Sequence, residues 1–439
     1  MNNELTMPAC AIPGTPLAAE SAGINACVHC GFCLQACPTY IALGDENDSP
    51  RGRIYLMRAL MEGELAVDDP AVHTHIDRCL GCRACETACP SGVPYGALLE
   101  ATRATLSEVK RPPLRARFIL ALFARRRVMR IAVGAARLLR STGLPKVLSR
   151  LPGDLGFAFA MLASSESPLA RARAHAHGGS SAGYDARGDG SRGTFALLRG
   201  CVMEGLFTRA NRATERTLVA NDYRALAAPD QHCCGALHAH AGDLDMARTL
   251  ARRNIAAFEK SGAEYVVTNA AGCGALLKEY GHLLANDAEW SARAADLSAR
   301  ARDVSELLAA AGPRVGAPLD YRVTYDAPCH LQHAQRITAA PLRVLDAIPG
   351  LERVALADAD QCCGSAGIYN LLEPALSAAV LAPKIAHIEL TGAALVATGN
   401  PGCLMQIGAG LQRAGHSART IHPVELLDAS YEAQARAEP

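Results

Sequence analysis

The chain has 439 residues, of which half are hydrophobic, and its formal net charge is +1. This length predicts about two to four domains with buried cores, and the near-neutral charge gives no argument for a nucleic-acid partner. The 17 cysteines are gathered at metal-ligand spacings, which indicates a reducing compartment rather than a secreted disulfide framework.

Residues 1–22 contain three prolines and predict an irregular N-terminal arm, in which Cys10 is a spare thiol. The arm has no basic segment followed by an apolar run, so a secretory signal is not expected. No window of 18 or more uninterrupted apolar residues occurs, so a transmembrane segment is not expected either. We therefore expect a cytoplasmic protein, or one that is peripheral on the inner face of a membrane.

Residues 23–110 are organised around two copies of one motif. Residues 27–38 and 79–90 both have the spacing C-x2-C-x2-C-x3-C-P, which is the bacterial two-cluster ferredoxin spacing. The fourth cysteine of each such run ligates the other run's cluster. We therefore assign one [4Fe-4S] cluster to Cys27, Cys30, Cys33 and Cys89, and a second to Cys79, Cys82, Cys85 and Cys37. Structural zinc or a disulfide framework fits less well, because zinc ribbons pair two C-x2-C units.

Between the two motifs, Pro50 predicts the start of a helix on which Ile54, Met57 and Met61 share one face. The arginines of this helix are predicted to be solvated, although they are also placed to stabilise a reduced, anionic cluster.

Residues 111–193 differ in amino-acid composition from the ferredoxin domain. Up to residue 150 they interleave arginines, nine of them before residue 141, with apolar residues and predict basic amphipathic helices. These helices either lie on an anionic membrane or a partner, or pack beneath the ferredoxin domain. The nine arginines are Arg111, Arg115, Arg117, Arg125, Arg126, Arg127, Arg130, Arg137 and Arg140. Residues 171–193 are rich in Gly, Ser and His and predict a flexible linker with solvated His175 and His177.

From residue 194 the chain repeats itself. The matching landmarks are Cys201 and Cys329, Cys233 and Cys362, Cys234 and Cys363, and Cys273 and Cys403, offset by 128 to 130 residues. Each copy predicts strand, helix, Cys-Cys-Gly loop, helix, strand and helix, which is a parallel α/β arrangement. The helical pattern is clearest at residues 243–260 and 374–390.

Cysteines follow the carboxyl ends of the predicted strands, where functional groups gather in such sheets. Neighbouring cysteines point apart on an extended backbone, so a turn at Gly235 or Gly364, or a larger cluster, is needed for joint ligation. We assign possible additional clusters to a first thiol group, Cys201, Cys233, Cys234 and Cys273, and a second thiol group, Cys329, Cys362, Cys363 and Cys403. Another metal, a reversible dithiol or simple packing are the alternatives.

Over nearly its whole length the chain resembles the iron–sulfur subunit family of bacterial glycolate oxidase, or glycolate dehydrogenase. The tandem ferredoxin motifs carry part of the resemblance. Segments of the repeated halves carry the rest, at residues 271–275, 278–282, 328–333, 362–367, 399–406 and 422–427.

This resemblance implies a multidomain α+β and α/β protein, with a helical two-[4Fe-4S] ferredoxin domain followed by two parallel α/β domains, called CCG domains after their Cys-Cys-Gly motif. The expected domains are the arm at 1–22, the ferredoxin domain at 23–110, the basic helical region and linker at 111–193, the first CCG domain at 194–312 and the second at 313–439.

The resemblance further implies an electron-transfer subunit without catalytic residues of its own, peripheral on the inner face of the bacterial inner membrane. The resemblance implies that FAD-binding partner subunits oxidise glycolate to glyoxylate and that this chain passes the electrons toward quinone. FAD is expected only on the partner, since the chain has no G-x-G-x-x-G after a strand.

Two other interpretations remain open. The CCG halves are also similar to heterodisulfide reductase and lactate-utilisation proteins, whose CCG sites would reduce the acceptor directly. Leu276 and Gln406 stand where the heterodisulfide reductase pattern has a further cysteine, so four thiols per half remain, enough for one ordinary cluster. The other interpretation is an iron–sulfur scaffold or redox sensor without turnover. His232, His330 and His333 lie beside the thiols and are predicted to pack or to hydrogen-bond.

Overall fold

The computed structural model describes residues 10–166, 168–169 and 188–437. A helical N-terminal region is followed by two four-stranded parallel sheets. Residues 1–9 of the predicted arm and most of the predicted linker, with His175 and His177, lie outside the described residues.

Helices and turns hold the ferredoxin motifs. The helices of this region are Pro16–Ala19, Ser21–Asn25, Pro38–Leu43, Pro50–Glu62, Pro70–Asp77, Ala84–Thr87 and Tyr95–Val109, with a 3-10 turn at Glu46–Asp48. The part of the predicted irregular arm that the structure describes is thus helical from Pro16, because Thr15 caps the first turn and Leu17 is fully buried.

The helix Pro50–Glu62 begins as the sequence predicts. The Ser49 side chain accepts a hydrogen bond from the Gly52 N–H, and Pro50 occupies the first turn, where no N–H is required. Gly63 ends the helix in the left-handed conformation, with φ of 76°. Ile54 and Met57 are buried, so this helix forms part of the core of the ferredoxin region.

The region between the ferredoxin domain and the first sheet is helical. Its helices are Leu114–Ala124, Arg126–Ser141, Leu144–Leu148 and Gly153–Ser164. The first two are called the two basic helices below. Arg140 fixes the second of them to the protein, since its guanidinium donates to Ser165 and to the Leu206 carbonyl.

The two sheets have the same topology. The strands are β1 Thr194–Leu197, β2 Arg224–Ala225, β3 Tyr265–Thr268, β4 Ala301–Asp303, β5 Tyr321–Tyr325, β6 Leu351–Val354, β7 Leu395–Ala397 and β8 Arg419–Ile421. All pairs are parallel, and the strand orders β2-β1-β3-β4 and β6-β5-β7-β8 are equivalent. The predicted fold class, including the parallel α/β halves, is confirmed.

Helices connect the strands in each half. In the first half they are Val202–Leu206, Thr208–Ala220, Ala236–His240, Leu244–Ser261, Ala271–Leu283, Ser291–Arg300 and Val304–Ala311. In the second half they are Ala339–Asp346, Tyr369–Leu372, Pro374–Thr391, Pro401–Arg413 and Pro423–Ala437, with a π-helical turn at His330–Ala334. The two longest predicted helices therefore occur within one residue of their expected bounds.

The inner strands of both sheets contribute to one hydrophobic core. Phe195 on β1 and Val267 on β3 belong to the same buried cluster as Val323 on β5 and Leu395 on β7. The two halves are therefore packed as one unit, which fixes the position of one thiol group relative to the other. Among the residues described, none of the helices is long and apolar enough to cross a bilayer.

Candidate iron–sulfur sites

The first cysteine cavity joins the first motif to the end of the second. It is lined by Cys27, Cys30, Cys33, Cys85 and Cys89. Positive φ values at His29 (54°) and Gly31 (87°) turn the backbone sharply between the cysteines, a geometry that directs successive N–H groups toward an anion. The Arg51 guanidinium donates to the His29 carbonyl at 3.2 Å and holds this loop.

The second cysteine cavity joins the second motif to the end of the first. It is lined by Cys37, Cys79, Cys82 and Cys85. Gly81 has φ of 62°, and its N–H donates to the Cys79 sulfur at 3.4 Å. The Tyr95 hydroxyl donates to the same sulfur at 3.6 Å. Polar hydrogens therefore already point at a thiol that is expected to carry negative charge as a ligand.

The two cavities group the cysteines in the crossed sets expected from the motif, with Cys85 on the border of both. Thiols are the soft ligands that iron–sulfur clusters require, so the donor set fits the predicted cofactor. Burial raises the pKa of the Cys33 thiol to about 11 and raises that of Cys85 well above its ordinary value. Metal binding at these cavities must therefore release protons.

Arg53 lies fully buried beside the second cavity, so the prediction that this arginine is solvated is wrong. Its guanidinium donates to the His75 carbonyl at 2.6 Å, to Thr39 Oγ1 at 3.1 Å and to Asp48 Oδ1 at 3.1 Å. Asp48 lies two residues before Pro50, the first residue of the helix, and its carboxylate compensates the buried charge. A fixed positive charge here favours the more negative, reduced state of a bound cluster.

The first thiol group gathers at the carboxyl edge of the first sheet. The sulfurs of Cys201 and Cys233 are 3.8 Å apart, and those of Cys234 and Cys273 are 3.2 Å apart. These separations exceed a disulfide bond of about 2.05 Å. Gly235, with φ of 95°, makes the turn that lets both neighbouring cysteines face the group.

Buried polar side chains support the first Cys-Cys-Gly loop. Asn254 donates to the Cys233 carbonyl at 3.0 Å, and the Tyr280 hydroxyl donates to the Cys234 carbonyl at 2.7 Å. The Asn254 carbonyl oxygen also accepts the His232 N–H at 2.7 Å. This loop is thus satisfied by side chains rather than by a strand partner.

The second thiol group has the same arrangement with different support. The sulfurs of Cys363 and Cys403 are 3.4 Å apart, Cys329 packs against the buried cluster that contains Cys362, and Gly364 has φ of 83°. At the position equivalent to Asn254 stands Lys384. Its ammonium group is 2.6 Å from the Asp326 carboxylate, and both side chains are 2% exposed.

Contacts connect three of the four cysteine sites, namely the second cavity, the second thiol group and the first thiol group. The Cys362 side chain belongs to the same buried cluster as Cys82 of the second cavity, and the two thiols lie close enough to shift each other's pKa. Asn400 donates to the Cys403 sulfur at 3.4 Å, while its oxygen accepts the N–H of Gly272 at 3.4 Å. Gly272 precedes Cys273 of the first thiol group. Together with the adjoining first cavity, the four cysteine sites therefore form a continuous row.

The first thiol group borders a pocket of about 530 Å³. Cys201 and Cys233 form part of its wall, and the second basic helix forms the opposite side with Met129 and Val133. Arginines also line it, namely Arg126, Arg130, Arg137 and Arg199. His232 borders the pocket, and burial lowers the pKa of its ring. Sequence reasoning missed this pocket, although it did mark the basic helix.

The other two histidines lie at the junction of the domains. His333 Nδ1 contacts Thr87 Oγ1 at 2.8 Å, and His333 Nε2 donates to the Asp360 carbonyl at 3.1 Å. His330 is 3.5 Å from the Cys329 sulfur through Nδ1, and burial lowers its pKa well below the ordinary value. A neutral His330 ring is therefore expected beside the second thiol group.

Comparison with known proteins identifies the domains. A family model described as "4Fe-4S dicluster domain" matches residues 23–93, and one described as "Cysteine-rich domain" matches residues 195–278 and 323–408. These matches cover both ferredoxin motifs and all eight cysteines of the thiol groups.

Related proteins extend over nearly the whole chain. It is 38% identical over 425 residues to the probable glycolate oxidase iron-sulfur subunit of Bacillus subtilis (strain 168), covering 91% of this chain and 92% of that protein. It is 33% identical over 418 residues to the glycolate oxidase iron-sulfur subunit of Escherichia coli (strain K12), covering 93% and 94%. Lactate utilization protein A of Geobacillus kaustophilus (strain HTA426) is 33% identical, but over 53% of this chain and 98% of its own length.

Proposed function

The chain belongs to the family of glycolate oxidase iron–sulfur subunits, and we propose that it carries electrons from a partner flavoprotein that oxidises glycolate to glyoxylate. It is an electron-transfer subunit of an oxidoreductase. The crossed grouping of the ferredoxin cysteines, in contact through Cys82 with the second thiol group, is the observation that carries the proposal.

Each cysteine cavity would hold one [4Fe-4S] cluster on the thiols that line it, with Cys85 assigned to the second cavity. The two thiol groups would hold one further cluster each. A bound cluster supplies a one-electron carrier, whereas oxidation of a 2-hydroxy acid releases two electrons. The dehydrogenase chemistry on the CH–OH group therefore belongs to the FAD of the partner.

The partner is expected to dock at the first cavity. Cys30 is exposed there, and its sequence neighbours Val28 and Phe32 are exposed large apolar side chains. Tyr55, also exposed, has its ring centroid 6.5 Å from that of His29. Exposed apolar patches of this kind mark interaction surfaces. Electrons would enter the chain beside Cys30.

The acceptor side is expected at the other end of the row, where Cys201 and Cys233 border the pocket of about 530 Å³. This volume lies in the range of small-molecule sites, and its mixture of apolar and arginine side chains suits a quinone that becomes anionic on reduction. A quinone acceptor also implies that the chain is peripheral on the inner face of the membrane.

The test is a Cys82→Ser variant assembled with its flavoprotein partner. Serine removes one thiol from the second cavity and the contact with Cys362, so electron flow from glycolate to quinone or dye should be lost. Reduction of the partner's flavin by glycolate should survive. Loss of flavin reduction in an assembled complex would refute the assignment of this chain as an electron carrier. Cys10→Ser, outside all four sites, is the matched control.

A second candidate is favoured by the pocket alone, namely that the first thiol group reduces the acceptor directly, as in a heterodisulfide-reductase-like or lactate-utilisation subunit. Cys233→Ser would then abolish reduction of the physiological acceptor while dye reduction through the ferredoxin cavities persists. If both activities fall together, the first thiol group lies on the common route and the first candidate is favoured.

A further inference from the structure

Residues 110–153 have an extreme charge composition. They contain twelve Lys or Arg and no Asp or Glu, in a chain whose net charge is +1. The positive charge of this stretch is therefore not balanced locally by its own sequence. A surface of such one-sided charge attracts an anionic counterpart.

The same stretch also concentrates exposed apolar side chains. Eighteen large apolar side chains are exposed in the described part of the chain, and ten of them lie between residues 109 and 155. This segment is only about a tenth of the whole chain. They are Val109, Leu114, Phe118, Val128, Ile131, Leu138, Leu144, Val147, Leu151 and Leu155. Single exposed apolar residues are ordinary, but a concentration of this kind marks an interaction surface.

Helical spacing places many of these side chains together. Leu114 and Phe118 are four residues apart on the first basic helix, and Val128, Ile131 and Leu138 share a side of the second. These five residues, together with Arg117, Arg127 and Arg130, are called the basic apolar face below.

The rest of each helix anchors the face to the protein. Ala116 and Leu120 are buried on the first basic helix, and Met129 is buried on the second. Arg140 adds three hydrogen bonds to the body of the protein. The exposed side is thus presented by helices that are already packed, and no refolding is needed before it meets a partner surface.

The arginines around the face are free to bind anions. Within the part of the chain that the structure describes, the guanidinium groups of Arg117, Arg127 and Arg130 have neither a carboxylate nor a hydrogen-bond partner. All three are exposed. Long cationic side chains at the rim of an apolar surface can reach phosphate groups while their stems cover hydrocarbon.

We propose that the basic apolar face binds directly to the surface of an anionic lipid bilayer. This inference rests on the proposed function in two respects, the membrane-borne acceptor and the docking of the flavoprotein at Cys30. Charge complementarity favours anionic lipid, since a juxtamembrane basic cluster gains free energy from each Lys or Arg near such a surface. The docking site proposed above for the flavoprotein lies at Cys30, so this face is left for the membrane.

The geometry adds a functional consequence. The second basic helix presents Val128 and Ile131 on its exposed side, while Met129 and Val133 line the pocket at Cys201. One helix therefore separates the lipid surface from the first thiol group, and a hydrophobic acceptor has only a short distance to travel from the bilayer to that pocket.

The experiment is co-sedimentation of the full-length, iron-loaded chain with two kinds of vesicle, phosphatidylcholine alone and phosphatidylcholine with phosphatidylglycerol. Binding is expected on the anionic vesicles and should weaken as salt rises. Arg117→Gln and Arg127→Gln should each weaken it about five-fold. Phe118→Glu with Ile131→Glu should reduce binding by about ten-fold or more, because two apolar anchors are lost and two negative charges are gained.

Matched controls are available elsewhere on the surface. Val315 and Leu390 are 74% and 83% exposed, close to Phe118 at 73% and Ile131 at 74%. Val315→Glu with Leu390→Glu should bind vesicles like the unmodified chain. Unchanged iron content and circular dichroism would establish that every variant is folded.

Three results would overturn the inference: no binding to anionic vesicles at low salt, equal effects of the face and control variants, or loss of flavoprotein binding in the face variant with vesicle binding intact. The last result would assign the face to the partner. Cys82→Ser separates the two proposals, since it should bind vesicles normally while losing electron transfer to dye.

Discussion

Replacing Lys384 by methionine tests the buried charge pair beside the second thiol group. The Lys384 ammonium group donates to Asp326 Oδ1 at 2.6 Å and to the carbonyls of Asp358 and Ala359 at 3.2 Å each. All three of its N–H donors are therefore used. Methionine nearly fills the same space but leaves the Asp326 carboxylate buried without a counter-charge.

The expected loss of stability is about 3–5 kcal/mol, the usual effect of removing one partner from a buried ion pair. For the two CCG halves, which share one core and together span about 240 residues, this corresponds to a fall of roughly 6–20 °C in the melting transition, at about 2–4 °C per kcal/mol. Scanning calorimetry of the iron-loaded chain would detect it as a shift of the transition that includes the second CCG domain.

The control is Lys260→Met in the equivalent helix of the first half. Lys260 is 3.9 Å from Asp230, and both side chains are mostly exposed, so its loss should cost less than about 1 kcal/mol. The double variant Lys384→Met with Asp326→Leu should be more stable than Lys384→Met alone, because the uncompensated carboxylate is removed. A transition within about 2 °C of the unmodified chain for Lys384→Met would refute the reasoning.

Two further predictions concern the core. Burial lowers the pKa of His422 to about 4, which is below the value of about 6.5 in the unfolded chain. The neutral ring therefore contributes about 3 kcal/mol to the free energy of unfolding. This contribution is complete above pH ~6.5 and is lost as the pH falls toward ~4. Thermal scans from pH 7 to pH 4 should therefore show a fall in the melting temperature, and this fall should be smaller in His422→Asn. An identical fall in the variant and the unmodified chain would contradict the prediction. Gly52→Ala places a Cβ 2.0 Å from the Glu46 carbonyl oxygen and should destabilise the ferredoxin region by about 1–3 kcal/mol and lower its iron content. Gly134→Ala, with no atom within 4 Å of the new Cβ, should be neutral or stabilising; equal effects of the two changes would show that the close contact at Gly52 is not maintained.

The repeat and the parallel sheets are predictable from the sequence because they rest on local patterns. Apolar strand segments, helical periodicity and the constant cysteine offset recur in both halves, and the observed helices Leu244–Ser261 and Pro374–Thr391 follow that periodicity. The sequence pattern predicts two strands in each half and does not reveal β2, β4, β6 and β8. The residues of β2 and β6 are largely exposed or half-buried and carry no apolar run, and β4 and β8 are only three residues long.

The supporting residues of the sites are harder to predict. Arg53 was expected in solvent, but its partner Asp48 lies in a turn that the helical pattern does not reveal. Lys384 is a single cation in a helical segment, and only the fold brings Asp326, 58 residues away, into contact. The Cys82–Cys362 contact and the bridge at Asn400 join segments whose proximity depends on domain packing, which no motif spacing encodes.

The most direct test of the central claim is the content of iron and acid-labile sulfide in protein purified without oxygen, together with its EPR spectrum after reduction. Two crossed ferredoxin sites predict at least about eight irons per chain, at about four per cluster, and about twelve or sixteen if one or both thiol groups are also filled. About four irons or fewer, or stoichiometric zinc without labile sulfide, would contradict the assignment of the two cysteine cavities as [4Fe-4S] sites.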